Sequence, residues 1–261
     1  MDKDWWSEKS GFFGKFYMTG DDSIEGYHEF EKMSQDERTA EEVRGVIRLC
    51  NLKNGEKVLD CPCGWGRHSI MLAKKGFNVV GSDINDFELN IAKQETVKQK
   101  SKAKFIRENM LDLRYKNEFD SIINMWYSFG FFESDDDNFK VLKNFFNALK
   151  DRGRFLMHTD VNIPRVTTGK FREYEKRRLS GGGFLRQVEF YNPQTKRNYG
   201  IWIIEKNGKI EYKDYSVRVY TKEEFAGLCR KAGFREVKVY SDWNGKRYSK
   251  DSEDMIVVAT K

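Results

Sequence analysis

Two hydrophobic periods alternate along the first part of the chain. Short apolar runs that end in polar groups recur at Val58-Leu59-Asp60, Asn78-Val79-Val80-Gly81-Ser82-Asp83, Ala103 to Arg107, Phe119 to Asn124 and Phe155-Leu156-Met157-His158. Each reads as a buried strand. Between them lie stretches with apolar residues at helical spacing. Thr39, Val43, Val46, Ile47, Leu49 and Cys50 mark a helix from Ser34 to Leu52, and Ile70, Leu72 and Ala73 mark one that ends at Gly76. Leu89, Ile91, Ala92 and Val97 mark a third from Asp86 to about Lys100; Phe139, Leu142, Phe145, Phe146 and Leu149 mark a fourth over Asp135 to Lys150, closed by the turn Asp151-Arg152-Gly153. After Asn162 the period drops to two in the runs Phe184 to Tyr191, Tyr199 to Ile204 and Ile210 to Val219, joined at Asn192-Pro193 and Asn207-Gly208. That pattern predicts an antiparallel meander with one packed and one wet face. Thr221 and Glu224 form a capping box for a helix ending at Gly233, and Val237 to Tyr240 and Met255 to Thr260 bring the chain back to the first sheet. The expectation is an α/β, doubly wound, mostly parallel seven-stranded sheet built from 34–162 and 221–261. An antiparallel meander, 163–220, is inserted into this pattern, and an aromatic segment, 1–33, precedes both.

Chemistry concentrates where the first strand turns into its helix. The turn reads Asp60-Cys61-Pro62-Cys63-Gly64-Trp65-Gly66-Arg67-His68, and Asp83 ends the next strand. Glycines there let backbone approach a ligand, and an acid about 20 residues on can accept both hydroxyls of a ribose. Such charge-assisted hydrogen bonds are worth roughly 1.5 to 3 kcal/mol each. At these residues the chain resembles the class I S-adenosylmethionine-dependent methyltransferases, whose first motif is an acid followed by glycines at alternate positions. Pro62 departs from that pattern, because proline has no N–H and a fixed φ. A nicotinamide or flavin dinucleotide would instead require G-x-G-x-x-G/A, which Gly64-Trp65-Gly66-Arg67-His68-Ser69 does not supply.

The resemblance implies a Rossmann-like fold, S-adenosyl-L-methionine as cofactor, and a cofactor-binding set of Asp60, Cys61, Gly64, Gly66, Arg67, Asp83, Ile84, Asn109, Met110 and Asn124. Asp60 suits an ammonium, Asp83 a ribose, and Asn109 with Met110 an adenine. Where the family has an acid at the adenine amine this chain has Asn109, whose amide oxygen can also accept.

Composition narrows the picture only slightly. Lys and Arg exceed Asp and Glu by 47 to 41, giving +6, which permits an acidic partner without demanding one. No apolar run is long enough for a membrane span and no signal-peptide pattern is present, so a soluble cytoplasmic protein is expected. Cysteines at 50, 61, 63 and 229 lack zinc spacing and read as reduced buried thiols, and three histidines are too scattered for a metal cluster.

The aromatic segment carries Trp5, Trp6, Phe12, Phe13, Phe16, Tyr17 and Tyr27. It reads either as a helix packed on the core or as a lid that keeps water from a sulfonium. On the resemblance, Tyr17 belongs nearest the reacting centre. Tyr127, in the loop after the fourth strand, and Asp160, expected to protrude past the fifth, complete the catalytic candidates. The N-P-P-Y-type signature of DNA and some protein amino methylases is absent, since Asn124-Met125-Trp126-Tyr127 lacks both prolines. Arg172, Glu173, Arg177, Arg178 and Arg186 either grip an acidic substrate or solvate the outer face of the meander. Three functions stay open: a small-molecule N- or O-methyltransferase, an RNA methyltransferase, and a nucleoside-binding or interaction protein that has lost catalysis. A mild charge makes nucleic acid the less expected acceptor, and the oligomeric state is not encoded in any pattern found.

Overall fold

The computed structural model describes residues 5–7, 11–21, 33–167 and 174–261. Tyr27, Arg172 and Glu173 lie outside the described residues. The helices are α1 (Lys15–Asp21), α2 (Gln35–Leu49), α3 (Arg67–Lys74), α4 (Asp86–Lys98), α5 (Asp135–Ala148), α6 (Ile163–Thr167) and α7 (Lys222–Ala232). The strands are β1 (Lys57–Asp60), β2 (Asn78–Asp83), β3 (Lys104–Arg107), β4 (Phe119–Asn124), β5 (Leu149–Thr159), β6 (Tyr174–Arg178), β7 (Phe184–Asn192), β8 (Arg197–Lys206), β9 (Lys209–Arg218), β10 (Glu236–Tyr240) and β11 (Met255–Thr260).

Seven strands form one sheet in the order β10-β11-β5-β4-β1-β2-β3. Strands β1 to β5 are parallel to their neighbours, and β11 runs antiparallel between β5 and β10. The chain leaves β1 toward β2 and β3, then returns to place β4 and β5 on the other side. A crevice therefore opens above the carboxyl ends of β1 and β4, where ligands bind in open sheets of this kind. Alternation along the strands sorts side chains to two cores. Ile123, Leu156, Ile256 and Val258 join α2 and α3 on one face, whereas Ile122, Phe155, Met157 and Val257 join α5 and α7 on the other.

The meander forms the separate antiparallel sheet expected, β6-β7-β8-β9, with no ladder to the larger sheet among the described residues. It differs in two details. It has a fourth strand, β6, whose sequence Tyr174-Glu175-Lys176-Arg177-Arg178 shows no apolar alternation and so leaves no period-two signal. Its solvent-facing side is not uniformly polar, since Phe190, Ile210 and Tyr212 stay 62%, 70% and 71% exposed.

Two further boundaries differ. The fourth helix stops at Ala148 rather than Lys150, and β5 begins at Leu149 with no intervening turn. Leu149 is fully buried and pairs with Phe119, so its apolar side chain takes a sheet position, and the register slips before Ser121 to absorb Arg152 at φ +63°. The short helix α6, just past β5, has no apolar period of its own.

Helix α2 closes one end of the larger core. Its N-terminus is fixed by the reciprocal bonds of Ser34 and Glu37. Gly45 lets it lie flat on Trp243: a Cβ there would meet the indole at 2.5 Å. Gly45→Ala must push the helix off that ring and is expected to destabilise by about 1–3 kcal/mol, the usual cost of overpacking, read as a lower urea midpoint at unchanged slope.

Candidate functional site

The corner after β1 is shaped by hydrogen bonds that any ligand would have to share. Gly64 lies at φ +52° and Gly66 at φ +80°, the left-handed region that favours glycine. At Gly66, the N-cap of α3, a Cβ would also meet the Phe105 ring at 2.6 Å. The Cys61–Pro62 peptide is cis, and Pro62 lines the crevice. Asp83, at the end of β2, accepts from the Gly64 N–H at 2.8 Å through one oxygen and from the Asn85 N–H at 2.9 Å through the other. An ionised carboxylate has about four acceptor sites, so two stay open for hydroxyls.

The crevice encloses about 960 Å³ of empty space, part of it open to solvent. Of the residues expected at a cofactor, Cys61, Gly64, Arg67, Asp83, Ile84, Asn109 and Met110 line it. Asp60, Gly66 and Asn124 do not. Asp60 is 1% exposed and takes the Ser69 hydroxyl at 2.6 Å, one layer beneath the corner. Asn124 donates to the Cys61 carbonyl at 2.9 Å and so braces the turn from β4. Asn109 caps a 3₁₀ turn by accepting from Leu111 N–H at 3.0 Å, which leaves its oxygen one further lone pair.

The catalytic candidates separate. Tyr17 lines the crevice with Trp5, Trp6 and Phe13, so the aromatic segment both packs and covers: Phe12 and Phe16 are core while its other rings face the space. Tyr127 is 2% exposed and stacks toward Phe131 and Tyr215, away from the lining. The expectation that Asp160 protrudes is corrected. It is fully buried, with Oδ2 3.3 Å from the Arg165 guanidinium, because α6 folds back over the end of β5. The backbone beside the crevice is strained as well: Trp126 and Tyr127 sit consecutively at φ +54° and +45°, costing of order 1–3 kcal/mol each for bulky residues. His158 holds them there, its Nδ1 accepting from Trp126 N–H at 3.4 Å and its carbonyl from Tyr127 N–H at 3.0 Å.

Several lining groups have no signal in the motif. Glu88 lies on the buried face of α4 with Leu89 and Ala92, and a carboxyl at an apolar helix position is the clue that could have found it. It accepts from Gly14 N–H at 3.0 Å, tying the aromatic segment to the nucleotide-binding half. Burial, reinforced by Asp83, pushes its carboxyl up to about 8. Glu108, held by the Tyr115 hydroxyl at 2.6 Å, adds a third acid. Arg67 is oriented by Thr39 at 2.7 Å and by Glu42 at 2.8 Å. Burial would raise Glu42, yet Arg67, the His68 ring and Arg38 hold it far below the usual carboxylate range, so it is ionised. Burial also lowers His68 to about 4 and leaves the ring neutral at pH 7. Arg38 and Arg67 approach the Trp126 ring at 4.4 and 5.5 Å. All four cysteines are free and buried.

A cavity with three carboxyl side chains, one guanidinium and a wall of aromatic rings fits a ligand that is cationic at one point and carries a flat base, a sugar and an amino acid. A methyltransferase-domain family model matches residues 52–208. The glycine/sarcosine N-methyltransferase of Aphanothece halophytica is 24% identical over 91% of this chain and 89% of its own. Among solved structures, the CcbJ methyltransferase of Streptomyces caelestis superposes with a TM-score of 0.75 at 16% identity, covering 92% of this chain and 97% of that one. CalS10 of Micromonospora echinaspora, an amino pentose methyltransferase with S-adenosylmethionine bound, superposes with a TM-score of 0.64 at 18% identity, covering 87% and 92%. The two structural likenesses show a shared fold.

Burial raises Asp60 to about 7 and Glu88 to about 8, so the folded chain binds protons that the unfolded chain releases nearer pH 4. Stability is then full below about pH 4 and falls as pH rises through 7 to 8, by up to about 1.4 kcal/mol per pH unit for each group. Ligand-free protein is expected to melt higher at pH 6 than at pH 9. Asp60→Asn is expected to flatten part of that slope in a calorimetric pH series, and an equal slope in the variant would contradict it.

Proposed function

Because the chain belongs to the class I S-adenosylmethionine-dependent methyltransferases, we propose that it methylates N or O of a small molecule held under its aromatic segment. The observation that carries this is the Asp83 carboxylate, bonded to the glycine corner with acceptor capacity left over, inside an enclosed crevice roofed by Trp5, Trp6, Phe13 and Tyr17. Asp83 would take the ribose hydroxyls, Ile84, Asn109 and Met110 the adenine, and Gly64 with Arg67 the amino acid end. Asp60, Gly66 and Asn124 act one layer behind, fixing the corner through Ser69 and the Cys61 carbonyl.

When bound, the sulfonium supplies an electrophilic methyl whose C–S pair stays on sulfur as the acceptor's lone pair forms the new bond. The protein's part is alignment and exclusion of water. Glu42 holds Arg67 from behind, His158 fixes the Trp126 and Tyr127 backbone, and Tyr17 stands closest to the covered space among the three catalytic candidates. Tyr127 and Asp160 act, on this reading, through the wall they build. Among the described residues, one guanidinium against three carboxyl groups in the lining favours a compact acceptor over a phosphate chain such as RNA. The relative from Aphanothece halophytica acts on small amines by its name, and that supports the same choice.

Calorimetry checks the reading. S-Adenosylmethionine is expected to give a binding isotherm and a nicotinamide dinucleotide none. Asp83→Asn, which replaces charge-assisted bonds worth roughly 1.5–3 kcal/mol each, is expected to weaken the affinity about 10- to 100-fold. Heat from the dinucleotide alone would end the proposal.

A further inference from the structure

The inner face of the meander sheet is apolar at Leu185, Trp202, Ile204 and Val217, yet a carboxyl stands at its centre. Register puts Glu189 of β7 opposite Gly200 of β8, and Gly200 opposite Tyr215 of β9. A Cβ at Gly200 would be driven into the Tyr215 ring, so the glycine lets that phenol lie across β8 and donate to Glu189. Gln187 donates to the same carboxyl, as does Asn198 Nδ2 at 2.8 Å, and Arg177 donates to Gln187 at 2.8 Å. Asp160, at the end of β5, is near enough for its charge to act on Glu189. Burial pushes Glu189 up to about 7, and the Asp160 charge adds to the rise.

Two acceptors of the cluster go unmet, although the Trp202 indole N–H beside it is buried and meets no acceptor either. Asp160 Oδ1 and Asn198 Oδ1 are buried acceptors that receive none, on side chains 0% and 1% exposed. An unmet buried acceptor costs about 1–3 kcal/mol, and a buried ion pair such as Asp160 with Arg165 rarely outperforms apolar packing. Nothing in the sheet's own architecture requires these groups at this point. A ligand that completes them must bring several N–H donors, and an ammonium brings three where a hydroxyl brings one.

We propose that Glu189, Asp160 and Asn198 form the acceptor subsite and take the ammonium end of a small primary or secondary amine. This rests on the methyltransferase reading above and deepens it to an amine acceptor. As a carboxylate, Glu189 accepts one ammonium proton, and the neutral amine is left with the lone pair that forms the new N–C bond. Tyr17 stacks on Trp202 at 5.3 Å and also lines the crevice, while Phe12 packs against Trp202 at 5.1 Å and Tyr215 at 4.7 Å. The aromatic segment thus borders both the crevice and the subsite. Gly20 lets it come that close, since a Cβ there would meet Trp202 at 2.6 Å. Methyl transfer on this proposal requires Tyr17 and Phe12 to move aside, so that an amine held at Glu189 faces the crevice.

The test is a melting-temperature titration of the full chain saturated with S-adenosylhomocysteine, using methylammonium, ethanolammonium and, as the uncharged comparison, ethylene glycol. The two ammonium probes are expected to raise the melting temperature of the parent protein and ethylene glycol to leave it unchanged. Glu189→Gln and Asp160→Asn, which keep side-chain volume, are each expected to shift the ammonium midpoint by ~10-fold or more, the loss of one charge-assisted bond. S-Adenosylhomocysteine heat in both variants is expected to stay within about threefold of the parent, under 1 kcal/mol. Equal ammonium midpoints in parent and both variants, no ammonium effect in the parent, or an equal effect of ethylene glycol would overturn the proposal. Absence of any S-adenosylhomocysteine heat in the parent protein would instead overturn the methyltransferase reading on which it rests.

Discussion

The structure turns on one carboxylate. Asp83 leaves the end of β2 and takes the amide hydrogens of Gly64 and Asn85, so the glycine corner, the strand end and the start of α4 are one hydrogen-bonded unit. Each bond is worth a few kcal/mol at most, but together they decide where backbone may approach a ligand. The Asn85 side chain continues the unit by capping α4 through Phe87 and Glu88 N–H and donating to the Trp6 carbonyl at 3.0 Å. Glu88, one turn into α4, takes Gly14 N–H. The ribose-facing acid and the aromatic cover are therefore connected through fewer than a dozen residues of sequence, from Asp83 to Glu88.

The same economy places the costs. Left-handed backbone at Trp126 and Tyr127, a protonatable carboxyl at Glu88, an ionised Glu42 beneath Arg67, and the buried polar group around Glu189 are each unfavourable taken alone. All lie on the side of the sheet where β1 and β4 end or in the elements that close over it. On the other side, Phe145, Phe155, Phe225 and Phe234 pack without a buried charge among them. Rigid apolar packing on that face supports strain and uncompensated polarity on this one, the distribution expected where binding rather than stability sets the residue.

Much of this was legible in the chain because parallel strands buried on both faces are nearly continuous apolar runs, and the corner must use glycine. Strand β6 was not legible: its charged sequence pairs through backbone, which carries no side-chain signature. Nor was the end of α5, where Leu149 satisfies a helix face and a sheet position equally well and only the pairing with Phe119 decides. Asp160 misled for a similar reason. A polar residue past a strand end usually meets solvent, but here α6 brings Arg165 back to it, and a contact five residues away leaves no periodic trace. Of the lining acids, Glu88 carried the clue of a carboxyl on the apolar face of its helix, whereas nothing in spacing separates Glu108 from solvated neighbours.

The aromatic segment read two ways from sequence, as core or as cover, and the geometry removes the choice. Phe12 and Phe16 carry the apolar area that holds the segment down, while Trp5, Trp6, Phe13 and Tyr17 present rings to the crevice. A cover must be stable enough to exclude water and weak enough to lift. Phe12 alone removes a large apolar surface from solvent, a contribution of roughly 1.5–3 kcal/mol. Among the described residues, polar links from this stretch to the rest of the chain join Glu88 to Gly14, Asn85 to Trp6, Lys213 to the Gly11 carbonyl, and Arg38 and Gln35 to Asp21. Its contact with Trp202 and Tyr215 is apolar and non-directional, and the inserted sheet supplies that floor.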